Sequence, residues 1–260
     1  MIYRWKFTRF AFLVVAMMGI EPISLSQATH GANTLGAGSV VPFVGCKSDG
    51  QLGPRKAPKG VSRILPINKE RAQRLAYYQT DDGWGVLAPR GWYCFETYGS
   101  NGVFLFVSPE PLDAKTIFAT SWEGFTGPVV QMSVEYGGTS GRFSVAQTIA
   151  RVFPAQRAFV QKVLAEGVES TSDFPFGPYP DDKLTYKNEE MVEYETPAHT
   201  DGLGTRSRIQ KNSDSIRGVA ILAGKDTDLF FLAARLPSEM NDLTSIIVQQ
   251  VEREAVADTP

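Results

Sequence analysis

Histidine and cysteine are scarce in this chain, with two of each among 260 residues. That scarcity removes whole classes of chemistry. Structural and catalytic metal sites draw on clustered imidazoles and thiolates, whereas His30, His199, Cys46 and Cys94 are scattered through the sequence. Asp81-Asp82, Asp181-Asp182 and Glu189-Glu190 are adjacent pairs. Neighbouring strand residues point to opposite faces, so such pairs do not chelate one ion, and no metal site is predicted. No Gly-x-x-x-x-Gly-Lys-Ser/Thr loop occurs, and Gly202-Leu203-Gly204 does not open a helix pattern. Nucleotide-binding fingerprints are therefore missing and no cofactor is predicted. Basic excess is missing too. With 26 Lys and Arg against 28 Asp and Glu, nothing condenses on phosphates, which argues against nucleic acid as a partner. The chain also lacks a long apolar run. Its longest, Phe10–Ile20, would extend about 16 Å as a helix, against a hydrocarbon core of roughly 30 Å.

What is present at the amino terminus has the order of a secretory signal. Arg4, Lys6 and Arg9 precede the apolar run, Pro22 breaks it, and Ser26 and Ala28 put small residues where a signal peptidase reads. We expect residues 1–28 to be removed and the mature chain to work in the periplasm or outside the cell, without a membrane span. Cleavage takes three of the 26 basic groups and one of the 28 acids, leaving a net charge near −4. In an exported chain the two cysteines are read first as one disulfide, Cys46–Cys94. The alternatives are a lone thiol nucleophile or a two-cysteine metal site.

Residues 29–60 are rich in Gly, Pro, Ser and Lys, with only Val40–Val44 apolar. Such a segment cannot bury enough surface to fold alone, so it is expected to be an extended arm held by the disulfide on a single domain, residues 61–255. In that domain Val103–Val107 is a buried-strand signal. Val129–Tyr136 alternates, with Val130, Met132, Val134 and Tyr136 on one face and Gln131, Ser133 and Glu135 on the other, the pattern of a half-buried strand. The period then becomes helical. Ser144 and Gln147 have capping-box spacing, Val145, Ile149, Val152 and Phe153 follow, and a second helix carries Phe159, Val160, Val163 and Leu164 before Gly167. Leu184–Tyr194, Arg206–Ile209, Gly218–Ala223 and Leu229–Ala234 are expected strands. A terminal helix shows Leu243, Ile246, Ile247 and Val251 on one stripe. Strands grouped around a helical middle spell α+β: a twisted, mainly antiparallel sheet with helices packed on it.

The phrase Pro89-Arg90-Gly91-Trp92, followed by strands, a helix pair, a strand meander and a terminal helix, resembles the PsbP-like fold over roughly residues 85–253. That group takes its name from an extrinsic subunit of photosystem II and includes many small exported bacterial proteins. The chain also resembles uncharacterised exported bacterial proteins with similar phrases flanking a cysteine. The PsbP-like resemblance implies an accessory or binding role. It carries over no site residues, and the leader of about sixty residues lies outside the pattern.

Two sets of residues are candidates for function. Ser140, in Gly138-Thr139-Ser140-Gly141 between a strand and a helix, has the placement of a hydrolase nucleophile but not the Gly-x-Ser-x-Gly spacing. His199 would be its base and Asp201 the orienting acid. Otherwise Ser140 is a turn residue and His199 a solvated side chain. Tyr77, Tyr78, Trp84, Trp92 and Tyr93 belong to a dense aromatic stretch. Exposed, these rings would make a platform for a ligand or partner; buried, they are core. Strand alternation places Trp92, Cys94 and Glu96 on one face and Tyr93 and Phe95 on the other. The leading expectation is an exported, non-enzymatic accessory or binding protein whose partner is an envelope protein or a small ligand. The alternatives are a secreted hydrolase using Ser140, His199 and Asp201, and an envelope interaction subunit with an exposed aromatic patch.

Overall fold

The computed structural model describes residues 38–206 and 208–257; the expected signal at residues 1–28 and His30 lie outside the described residues. The chain enters through three short strands, β1 (Ser39–Val41), β2 (Phe43–Gly45) and β3 (Lys47–Gly50). Next come β4 (Arg63–Leu65), helix α1 (Lys69–Arg74), β5 (Leu75–Gln79), β6 (Gly85–Pro89), β7 (Tyr93–Gly99) and β8 (Gly102–Ser108). A one-turn helix α2 (Ala114–Ile117) precedes β9 (Val129–Glu135) and the helix pair α3 (Arg142–Val152) and α4 (Arg157–Ala165). The strands β10 (Lys183–Tyr186), β11 (Met191–Thr196), β12 (Ile216–Ala223) and β13 (Asp228–Arg235) follow, and α5 (Thr244–Ala257) closes the chain.

The architecture is α+β with mainly antiparallel strands. Eight of them form one sheet in the order β10-β11-β12-β13-β9-β8-β7-β3, antiparallel throughout except for the edge pair β3–β7. Alternating side chains of this sheet feed two cores. Phe106, Val192, Phe231 and Ala233 meet Val145, Ile149, Val160 and Val163 of α3 and α4 on one side. On the other side Val103, Met132, Val219 and Leu232 meet Ile246, Ile247 and Val251 of α5, together with Leu75, Tyr77 and Leu87 of a three-stranded sheet, β2-β5-β6. Polar bonds join α5 to that small sheet. Gln250 Oε1 accepts from the Leu87 N–H at 2.8 Å, Tyr77 donates its hydroxyl proton to Glu254 at 2.7 Å, and Arg63 pairs with Glu254 at 2.9 Å.

Four local expectations change. β9 is buried on both faces, not half-buried, because α3 and α4 cover its Gln131, Ser133 and Glu135 face. Glu135 is tolerated there because Arg206 reaches it with Nη1 at 3.0 Å and Nη2 at 3.3 Å while also donating to the Ser144 carbonyl. That reach explains the second change. Among the described residues of 206–209 no strand forms: Arg206 ends a one-turn helix at Leu203–Thr205, and Ile209 makes an isolated bridge to Phe125. Third, Leu184–Tyr194 is the hairpin β10–β11; Asn188 turns it by accepting the Glu190 N–H on its side chain. Fourth, α3 begins at Arg142 after Gly141 without a side-chain cap, and Ser144 lies within the helix. Gly167 closes α4 with φ +67°, as its position predicts.

The arm is woven into the body. β1 pairs with β4; β2 then runs parallel to β5 of the small sheet, and β3, after a single intervening residue, runs parallel to β7 of the large one. The residue at that change of sheet is Cys46. Its N–H donates to the Gln79 carbonyl at 2.9 Å, and its sulfur is bonded to Cys94 of β7 with the Cα atoms 5.4 Å apart. Gly50 lets β3 lie close, since a Cβ there would collide with the Tyr98 carbonyl oxygen. The disulfide closes a loop with a sequence separation of 48, which restricts the unfolded chain by about 4 kcal/mol in the chain-entropy picture. We expect the double variant Cys46→Ala/Cys94→Ala to lose about 2–4 kcal/mol in urea unfolding and to become open to trypsin at Lys56 or Lys59 under native conditions. An unchanged midpoint and an uncut arm would show that the strand pairing holds the crossover alone.

Candidate functional site

A notch of about 430 Å³ opens where the arm, the small sheet and one end of the large sheet meet. Each wall has a local reason to be there. The turn between β5 and β6 presents Asp82 and Trp84. β7 carries Tyr98 next to its last residue and turns at Ser100 into β8, and Tyr136 follows the last residue of β9. The arm supplies Arg55 as it folds back on itself. Ser48 and Arg55 exchange backbone bonds of 2.8 and 3.4 Å, and Tyr98 donates its hydroxyl proton to the Gly53 carbonyl. The Arg55 guanidinium then lies 3.8 Å from the centre of the Tyr98 ring with Nη1 2.7 Å from Asp82 Oδ1. Trp84 is held edge-on to Phe230, with ring centres 4.9 Å apart.

Beneath this opening lies a carboxyl group. Glu96 is two residues before Tyr98 on the same face of β7, opposite Ser48 of β3, and has no exposed surface. Neither of its oxygens has a well-aligned hydrogen bond among the described residues: the Thr80 hydroxyl is near enough to act on the carboxyl but donates to the Trp84 carbonyl at 3.3 Å, and the buried Ser48 hydroxyl is likewise unmet. Burial pushes the Glu96 carboxyl up to about 7. The nearby Thr80 hydroxyl and Arg55 pull it down, while Asp82 and Asp81 push it further up. The same surroundings raise the Tyr136 phenol, through burial first and then through Asp82, Glu96 and Asp228. An unpartnered buried carboxyl is costly, and residues whose protonation is displaced by burial beside a cleft are concentrated at functional sites.

The aromatic candidates separate. Tyr77 and Tyr78 are core, with no exposed surface. Tyr78 donates to the Pro89 carbonyl at 2.8 Å and the Trp92 carbonyl at 3.2 Å. It thereby clamps the Pro89-Arg90-Gly91-Trp92 turn from below, while Gly91 takes the left-handed conformation with φ +87°. Trp92 packs on the core, and Tyr93 is 52 % exposed on the opposite face of β7. Of these five rings Trp84 alone lines the notch, and they do not form one exposed platform.

Ser140 and His199 are not brought together. Ser140 follows the carboxyl end of β9 and shares a 3.0 Å hydrogen bond with Ser100, at the rim of the notch. His199 and Asp201 follow β11, beside the loop that precedes β12. The His199 N–H donates to the Asn212 carbonyl at 2.7 Å, and Asn212 donates in turn to Thr126, before the start of β9. The seven residues of β9 separate these positions, about 20 Å of strand. His199 is exposed, and Asp201 pairs with Lys211 at 2.6 Å. No acyl-transfer constellation results. One member of each of two carboxylate pairs is engaged, Asp82 by Arg55 and Asp182 by Thr196 and the Leu203 N–H, and the described residues contain no cluster suited to a metal ion.

A larger groove, about 580 Å³, runs between β10–β12 and α5. Its charges satisfy one another: Lys183 with Glu195 at 2.9 Å, Lys187 with Glu193 at 2.7 Å and Arg217 with Glu195 at 2.8 Å. The notch is the better candidate because a buried, unmet carboxyl lies next to its wall, two residues from Tyr98 on the same face of β7. Sequence reasoning missed Glu96, Tyr98 and Arg55 as site residues. Glu96 did leave a signal: alternation put a carboxylate on the face of the strand that carries the disulfide cysteine. Arg55 left none, since only the return of the arm sets it against Asp82.

No family model matches the chain, and no curated protein or solved structure matches it. The geometry of the site therefore carries the functional reading.

The displaced Glu96 carboxyl makes stability depend on pH with a definite sign. Below about pH 4.5 the group is protonated in both states. Between that value and its folded value near 7 the unfolded chain releases the proton first, so stability falls as pH rises. We expect the wild type to lose about 3 kcal/mol relative to Glu96→Gln between pH 4.5 and 8, read from urea midpoints at each pH. Parallel curves for the two proteins would show that Glu96 ionises normally.

Proposed function

We propose that this is an exported, non-enzymatic accessory or binding protein that takes a small ligand in the notch above Glu96. The observation that carries this reading is a fully buried carboxyl with no hydrogen-bond partner among the described residues, set under an opening walled by Trp84, Tyr98 and Tyr136. Aromatic walls with a few placed polar groups are the common make-up of ligand sites. Three further points support it. The disulfide suits an oxidising compartment. The leader has the order of a secretory signal, and no described helix is long and apolar enough to cross a membrane. The resemblance of residues 85–253 to the PsbP-like group, whose members are mostly non-catalytic, points the same way.

Thermal unfolding with a panel of sugars, amino acids, amines and carboxylic acids tests the reading. A ligand at about 100 times its Kd adds about 2.7 kcal/mol, roughly a 5–10 °C rise for a chain of this size. Ser100 is exposed at the rim, so Ser100→Trp fills the mouth of the notch without touching the core. We expect one chemical class to raise the midpoint of the wild type and to lose that effect in Ser100→Trp. A panel without effect, or a shift that survives Ser100→Trp, would overturn the reading.

A further inference from the structure

Arg55 occupies its position as a ligand would. It arrives from a separate segment, lays its guanidinium on the Tyr98 ring at 3.8 Å and pairs end-on with Asp82 at 2.7 Å. An organic cation makes the same two contacts in an aromatic site, ring face and carboxylate. The surroundings keep the same sign. Asp81, Asp82, Glu96 and Asp228 all act on this corner, against Arg55. We propose that the notch is a site for a small organic cation of the guanidinium or alkylammonium class, and that Arg55 is its resident stand-in, displaced when the ligand enters. This rests on the reading of the notch as a ligand site and names the chemistry of what it takes.

Two features make the exchange workable. Arg55 is held lightly, because an exposed ion pair and an exposed ring contact are each weak, and both partners are partly open to solvent, with side-chain exposures of 28 % and 30 %. It is nonetheless tethered, so it competes at the high effective concentration of an intramolecular group. A free cation must therefore gain something that Arg55 does not have. Glu96 supplies it. Arg55 makes no ion pair with Glu96, whose oxygens remain unpartnered one step deeper along β7. A cation small enough to pass the arm meets that carboxyl as well as the rings of Trp84 and Tyr136. An anion would be repelled by the same carboxylates, and a neutral sugar would hydrogen-bond them without neutralising their charge.

The test uses the full chain and calorimetric titration with methylguanidinium and with agmatine at low salt. Removing the stand-in should open the site. We expect Arg55→Ala to bind methylguanidinium at least ten-fold more tightly than the wild type, and Arg55→Ala/Asp82→Asn to lose that gain. Agmatine should be weakened in Arg55→Ala/Glu96→Gln, and binding should fall as salt rises. Arg55→Met, which keeps the aliphatic stem and the backbone bridge to Ser48, guards against a collapsed arm and should show the same gain. Equal affinity in the wild type and both Arg55 variants would overturn the inference, as would a gain that survives Asp82→Asn. The two proposals fail separately. If a neutral or anionic compound is lost on Ser100→Trp while no Arg55 variant gains a cation, the notch is a ligand site of another chemistry. If Ser100→Trp changes nothing, the notch is not the site.

Discussion

A single segment changes sheets at Cys46, and the positions of the arm, the edge of the large sheet and the notch all depend on how that change is held. Residues 43–45 lie against β5 and residues 47–50 against β7, so one continuous run of backbone supplies a strand to each sheet. Each strand is only three or four residues long, and β3, Lys-Ser-Asp-Gly, has no apolar side chain to hold it. Pairings this short are marginal without support. The bond to Cys94 provides it at the crossover itself and keeps β3 on the edge of the large sheet. From there the chain folds back through the Ser48–Arg55 bridge, and Arg55 reaches Tyr98 and Asp82. Without the crossover the notch would lose one of its walls.

Three buried charges show three physical solutions. Glu135 sits on the helix-covered face of β9 and is matched by Arg206, whose second contact, to Ser144, ties the start of α3 to the central strand. Arg235 has no surface exposure, and its guanidinium is spread over the carbonyls of Phe125, Gly127 and Gln210, so that it fixes two loops at one end of the sheet. In both cases a buried charge is satisfied and its role is architectural. Glu96 differs. Strands enclose it, yet its oxygens lack partners, and burial keeps it half-protonated near neutrality. That contrast within one protein, between matched charges that build and an unmatched one beside a cleft, is what singles out the notch.

Much of the fold is legible because its causes are local. The alternation in β9, the continuous apolar runs of β12 and β13, and the helical stripes of α3, α4 and α5 follow from which face each side chain must bury. The pairing of Cys46 with Cys94 is readable because the chain holds two cysteines and no others. The errors arise where tertiary contacts overrule the pattern. The polar face of β9 looks solvent-facing because a single sequence does not show that α3 and α4 will cover it or that Arg206 will come to Glu135. Arg206–Ile209 looks like a strand because it follows turn-rich residues 199–205 and precedes further strands, whereas Arg206 is held by its ion pair with Glu135. The aromatic stretch looks like one feature. The sheets distribute it to core (Tyr77 and Tyr78), to the notch wall (Trp84) and to the opposite surface (Tyr93).

By itself the sequence determined the class of fold, the positions of β8, β9, β12, β13 and the helices α3, α4 and α5, and the covalent link. It also excluded nucleotide loops and histidine-rich metal centres, because each of these depends on residue type, spacing or period along the chain. The tertiary structure alone decided which polar residues became a site. Arg55, Asp82, Glu96, Tyr98 and Tyr136 come from the arm, a hairpin turn and two strand regions, and of these only Glu96 and Tyr98 are related by spacing along the chain. Their proximity comes from strand register and from one segment crossing between two sheets. Only the packing shows that one of two buried glutamates finds a cation while the other is left without a partner.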